Sequence, residues 1–176
     1  MKPCLFLLLL MMLTLTQPAR VSASETNNVP AKAGLPAELD NFLTNADEFT
    51  LFSLNPEPDF EHKSTNTFQN HVILGQIRII RATTRASLIS ALDEGIGDKG
   101  LNVPGMPAPL PDCFNPRHGI RAKKGDETVE FLICFECAQI QASSNKGKSW
   151  FFTTSKRPAA TFNRVLKRNG VPLPQN

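Results

Sequence analysis

The chain has 176 residues, 41% of them hydrophobic, 20% charged and 7% aromatic, with a formal charge of +3. That composition excludes a disordered tail, a collagen-like repeat and a multidomain assembly, and it fits one globular domain. The first segment reads as lying outside that domain. Lys2 supplies a positive start, and Leu5 to Leu15 form an apolar run of 11 residues, too short to span a bilayer comfortably. Gln17-Pro18 breaks the run, and Val21-Ser22-Ala23 offers small residues for cleavage. Residues 1–23 are therefore expected to be a secretory signal peptide, 24–34 a flexible leader and 35–176 a single domain. The mature protein is expected in the periplasm or outside the cell, not membrane-spanning after cleavage.

Cleavage removes Lys2 and Arg20, leaving 17 basic residues against 16 acidic ones, a net of +1. Bulk charge then gives no support to a nucleic-acid partner, and none is expected. The distribution is uneven. Ser24 to Asp112 holds 6 basic and 12 acidic residues, Cys113 to Asn176 holds 11 and 4, and no acidic residue follows Glu136. The favoured reading is two halves that complement each other. The lesser one is a weak contact between an anionic surface and the basic C-terminal third, which carries Lys146, Lys148, Lys156, Arg157, Arg164, Lys167 and Arg168.

Along the domain, Leu35 to Leu43 predicts a short helix with Pro36 in its first turn and Leu35, Leu39, Phe42 and Leu43 on one face. Phe49 to Leu54 reads as a strand stopped by Asn55-Pro56-Glu57-Pro58. His71 to Ile80, rich in β-branched residues, reads as a second, with a polar loop from Asp59 to Asn70 between them. A helix is expected from Thr84 to Gly95, ended by Gly95-Ile96-Gly97, and then an irregular proline-rich loop from Asp98 to Asp112. Gly125-Asp126 marks a hairpin tip. That register sets Lys124 against Glu127, Arg121 against Glu130 and Ile120 against Phe131. The second hairpin strand alternates from Val129 to Ile140. A turn from Ser143 to Lys148, a strand from Ser149 to Thr154 and a helix from Pro158 to Asn169 complete the order α-β-β-α-β-β-β-α. The fold class is α+β, with an antiparallel sheet of about five strands packed by two or three helices.

All three cysteines of the mature chain lie on or beside the hairpin, in Cys113-Phe114-Asn115-Pro116-Arg117-His118 and Cys134-Phe135-Glu136-Cys137. These motifs, with Phe49 to Pro56, resemble an uncharacterised family of secreted bacterial proteins carrying C-F-x-P-R-H-G/A followed by C-F-E-C. The resemblance runs from about Phe49 to Leu173. It implies a bacterial exported protein and brings no activity with it.

Three chemistries compete for the cysteines. The leading one is a disulfide, with a bulge at Pro116-Arg117 setting Cys113 opposite Cys137 in a compartment where such bonds persist. The second is a zinc site from Cys113, His118, Cys134 and Cys137. It would need the C-x2-C pair in a turn, because residues i and i+3 of a regular strand point to opposite faces. The third is catalysis by a thiol, with His118 as base and Glu136 as the nearest orienting carboxylate. Arg117, His118 and Glu136 form a candidate polar site, read first as a salt-bridged pair beside a structural histidine. The balance leans away from an enzyme, no residue is assigned a catalytic role, and no cofactor is expected unless zinc binds. The expected function is a non-enzymatic binding or structural domain with a disulfide-stabilised hairpin.

Overall fold

The computed structural model describes residues 34–97 and 114–173. All of these residues lie within one compact unit. The expected signal segment, the leader except Gly34, the proline-rich loop and Cys113 fall outside the described residues.

In chain order the elements are α1 (Ala37–Thr44), β1 (Glu48–Pro58), β2 (Thr67–Phe68), β3 (His71–Arg78), α2 (Ala82–Gly97), β4 (His118–Lys124), β5 (Glu127–Cys134), β6 (Gln139–Ser144), β7 (Ser149–Thr153) and α3 (Ala159–Arg168). The strands form one sheet in the spatial order β2-β3-β1-β4-β5-β6-β7, with every neighbouring pair antiparallel. The class is α+β as expected, but the sheet has seven strands rather than five.

Both extra strands have local causes. The run from Val129 to Ile140 is two strands: β5 stops at Cys134, a turn intervenes, and Ala138 takes a left-handed backbone (φ 56°) before β6 begins. Apolar residues on both sides of the turn keep the alternation in phase and conceal the break. The polar stretch before His71 contains β2. It is joined to β3 by Gln69 and Asn70, both at positive φ (45° and 66°), the backbone of a two-residue hairpin turn.

Helices α1, α2 and α3 cover one face of the sheet. There Leu39, Leu43, Leu88, Leu92, Ile96, Phe162 and Leu166 pack on Leu51, Ile120, Phe131, Ile133 and Phe152. The carbonyls ending α1 are satisfied by Arg85, whose Nη1 donates to Thr44 O (3.2 Å) and Ala46 O (2.7 Å). Helix α2 ends at Gly97, the last residue of the expected Gly95-Ile96-Gly97 stop, two residues beyond the expected last residue Gly95. A Cβ at Gly95 would lie 2.4 Å from Pro158 Cγ and 2.8 Å from Thr154 Oγ1, so this glycine lets α2 approach the segment entering α3.

The opposite face carries a smaller cluster of Phe52, Leu54, Phe68 and Leu132. Phe68 of β2 folds over β4 and stacks on Phe52 with ring centroids 4.5 Å apart. Arg121 lies over both rings, 5.4 Å from the Phe52 centroid and 5.1 Å from that of Phe68. Its Nε donates to Glu130 Oε1 at 2.6 Å, and Gln69 Nε2 donates to Glu130 Oε2 at 2.9 Å. Among the described residues no helix is long and apolar enough to cross a membrane.

Candidate functional site

Lys124↔Glu127, Arg121↔Glu130 and Ile120↔Phe131 pair across the hairpin in the register that the charges dictate. The candidate site lies at the other end of this hairpin, where β4 begins and β5 stops. Arg117 precedes β4 yet is pinned on both sides: its N–H donates to Ile133 O (3.2 Å), and its carbonyl accepts from Leu54 N (3.0 Å). Its side chain leaves this fixed backbone to pair with Glu136, Nη1 donating to Oε2.

Glu136 belongs to the turn that ends β5. Within it the Cα atoms of Cys134 and Cys137 lie 5.2 Å apart and their sulfurs are bonded. The Cys137 N–H donates to Cys134 Sγ (3.0 Å), and the Asn115 N–H donates to Cys137 Sγ (3.5 Å). This differs from the expected pairing: Cys137 is joined to Cys134, not to Cys113, which lies outside the described residues. The physical reason is the turn. In a regular strand residues three apart diverge, whereas a tight reversal brings them within bonding reach. Cys134 is buried and Cys137 half-buried.

His118 opens β4 on the helix-covered face and is only 4% exposed. Its ring packs against Phe135 of the turn and Phe162 of α3, with centroids 5.2 and 5.7 Å away. Nε2 lies 2.8 Å from Asn163 Oδ1. With that oxygen as acceptor, Nε2 carries the proton and Nδ1 presents a lone pair. Burial pushes the ring's pKa down to about 4, the charge of Arg117 adds to that, and the Asn163 hydrogen bond opposes it. The imidazole is therefore neutral at ordinary pH.

Asn115, Arg117, His118, Phe135, Glu136, Ala159, Asn163 and Leu173 line a pocket of about 120 Å³ that is open to solvent on one side. His118 Nδ1 and Arg117 Nε are both buried without a hydrogen-bond partner among the described residues. Phe135 and Glu136, the two residues inside the disulfide ring, form part of its wall.

Of the residues singled out from sequence, the structure thus gathers Arg117, His118, Cys134, Glu136 and Cys137 at one end of the hairpin. Glu136 is held by Arg117 and does not orient His118. Among the described residues no group of three or more His, Cys, Asp or Glu side chains could hold a metal ion. Sequence reasoning missed Asn163, 45 residues from its partner His118, and Leu173. Only the tertiary packing of α3 and the chain after it brings them here.

No family model and no curated protein matches the chain. Among solved structures, the chain is similar to a "putative lipoprotein" from Clostridium perfringens, at 11% identity and a TM-score of 0.39, over 75% of this chain and 88% of that one.

Proposed function

We propose that this is an exported, non-enzymatic binding or structural domain whose hairpin end is held by a disulfide. The observation that carries the reading is the Cys134–Cys137 pair, which closes a four-residue ring at the point where β5 leaves the sheet. Bonds of this kind form and persist in oxidising compartments, in keeping with the apolar leader and cleavage pattern of residues 1–23. A neutral, fully packed His118 and a Glu136 engaged by Arg117 leave no base poised beside a nucleophile, which supports binding over catalysis. The exposed Lys156, Arg164, Lys167 and Arg168 around α3 offer a solvated basic face for weak contact with an anionic surface.

Peptide mapping of the mature protein, alkylated without reduction after isolation from its own compartment, tests this. Trypsin releases Cys113 in the peptide ending at Arg117, and Cys134 and Cys137 together in the peptide from Gly125 to Lys146. The expected result is an N-terminus at Ser24, an alkylated Cys113 peptide, and a Gly125–Lys146 peptide light by two hydrogens. Recovery from the cytoplasm with all three thiols alkylated would sink the reading.

A further inference from the structure

We infer that the Cys134–Cys137 bond is an exchangeable redox site for small thiols, with Cys137 Sγ as the atom attacked and Cys134 as the thiolate that leaves. The inference goes beyond the binding reading above and does not depend on it. The two cysteines are unequally placed. Cys134, the last residue of β5, is 1% exposed, whereas Cys137 is half-buried and its neighbours Glu136 and Asn115 are exposed. Approach from solvent is therefore on the Cys137 side.

Each sulfur already has a backbone donor. The Cys137 N–H donates to Cys134 Sγ at 3.0 Å, and the Asn115 N–H to Cys137 Sγ at 3.5 Å. Such donors serve a sulfur better the more negative it is, so they favour the thiolates of the reduced form over the disulfide. Favouring the reduced form makes the oxidised one a stronger acceptor of electrons. The turn is also anchored at both ends without the bond. Cys134 pairs with Gln139 across β5 and β6, and Ala138 O accepts from Thr154 N at 2.9 Å, so the two thiols stay close after reduction and can join again. A ring of four residues restricts the unfolded chain little, which puts this bond at the weak end as a staple.

The reaction takes two steps. A small thiolate attacks Cys137 Sγ, forming a mixed disulfide and releasing Cys134 as the thiolate to which the Cys137 N–H donates. A second small thiolate attacks the other sulfur of that mixed disulfide, giving the small-molecule disulfide and releasing Cys137 beside the Asn115 N–H. Two small thiols are thus oxidised to one disulfide. Their two electrons reduce the protein bond, and the two protons they shed pass to solvent or to the new cysteine thiols. No side-chain base is required, because the thiolate comes from the partner; His118 and Glu136 stay engaged by Asn163 and Arg117.

The test uses the full mature, oxidised protein in mixtures of reduced and oxidised glutathione at neutral pH, acid-quenched, alkylated and peptide-mapped, with circular dichroism in parallel. The expected result is that the Gly125–Lys146 peptide becomes doubly alkylated while the protein stays folded, at a rate first order in reduced glutathione. Cys134→Ala, given oxidised glutathione, should collect a stable adduct on Cys137. Its rate should rise with a midpoint below the ordinary thiol value of about 8.5. Folded Cys137→Ala should collect none on Cys134. Resistance of the wild type to every mixture, or reduction at the rate of global unfolding whatever the glutathione concentration, would overturn the inference and leave a static bond. So would adducts confined to the Cys113 peptide, or a Cys137 midpoint at or above that ordinary value. The map of the untreated protein is the same in every case, so the exported-domain reading fails or stands separately.

Discussion

At His118 the surroundings decide what the side chain can do. A histidine two residues after an Asn-Pro step, near three cysteines, has the composition of a ligand or a base. Burial beneath Phe135 and Phe162 makes it a neutral acceptor instead. Its proximity to Arg117 and Glu136 was legible, because the three residues sit in two short motifs of one hairpin. Its link to Asn163 was not, because nothing local in Thr161-Phe162-Asn163 marks an amide destined for a ring 45 residues earlier. The depressed pKa has a consequence for stability. Between about 4 and the ordinary value of 6.5 the unfolded chain takes up a proton here that the folded chain does not. The contribution is therefore intact above pH 6.5 and is lost as pH falls toward 4, about 3 kcal/mol in all. Melting temperatures of the wild type and His118→Leu across that window check it. The wild type should fall more steeply with acidity; parallel curves would remove His118 as the source. His71, whose pKa burial also lowers, acts in the same direction in both proteins.

Among the elements, the β4–β5 hairpin was the most legible, because a glycine-led tip and two cross-strand charge pairs leave one register that satisfies every residue. The stop at Cys134 was hidden by apolar residues that continue the alternation through Phe135, Cys137 and Ile140. Strand β2 was hidden for the opposite reason. Two residues form it, and Gln69-Asn70 makes its turn without the glycine that usually announces one. That short strand explains why the second sheet face can carry Leu132 and Phe52 away from water. It also fixes Gly119. A Cβ there would stand 2.8 Å from Phe68 Cε1 and 3.1 Å from Cδ1, against a ring that is fully buried and has no room to swing. Gly119→Ala is expected to destabilise the protein by ~1–3 kcal/mol, measured as a lowered urea midpoint, with partial recovery in Gly119→Ala/Phe68→Leu. An unchanged midpoint would mean that β2 yields freely.

Across the described domain the acidic and basic halves meet less than their charges suggest. Lys148 reaches Glu38 at 3.2 Å, while Arg78–Glu48, Arg121–Glu130 and Lys146–Asp126 each stay within one half. Stability comes instead from the apolar layer between sheet and helices, and the disulfide adds a local term. A ring of four residues restricts the unfolded chain little, so reduction is expected to lower stability by about 2 kcal/mol, or roughly 6 °C in Tm. Thermal melts with and without dithiothreitol measure this. No change would mean that hydrogen bonds and packing alone hold the turn.

The small ring has a consequence in time as well as in energy. Phe135 and Glu136 lie between the two sulfurs and also face the cavity, so the last covalent step of maturation is made in the cavity's own wall. A chain that has not yet met an oxidant can build its sheet and bury its core, yet it carries that wall on an unfastened turn. In the exported protein proposed above, that turn would take its final geometry only after the sheet is built, when the two thiols first meet an oxidant.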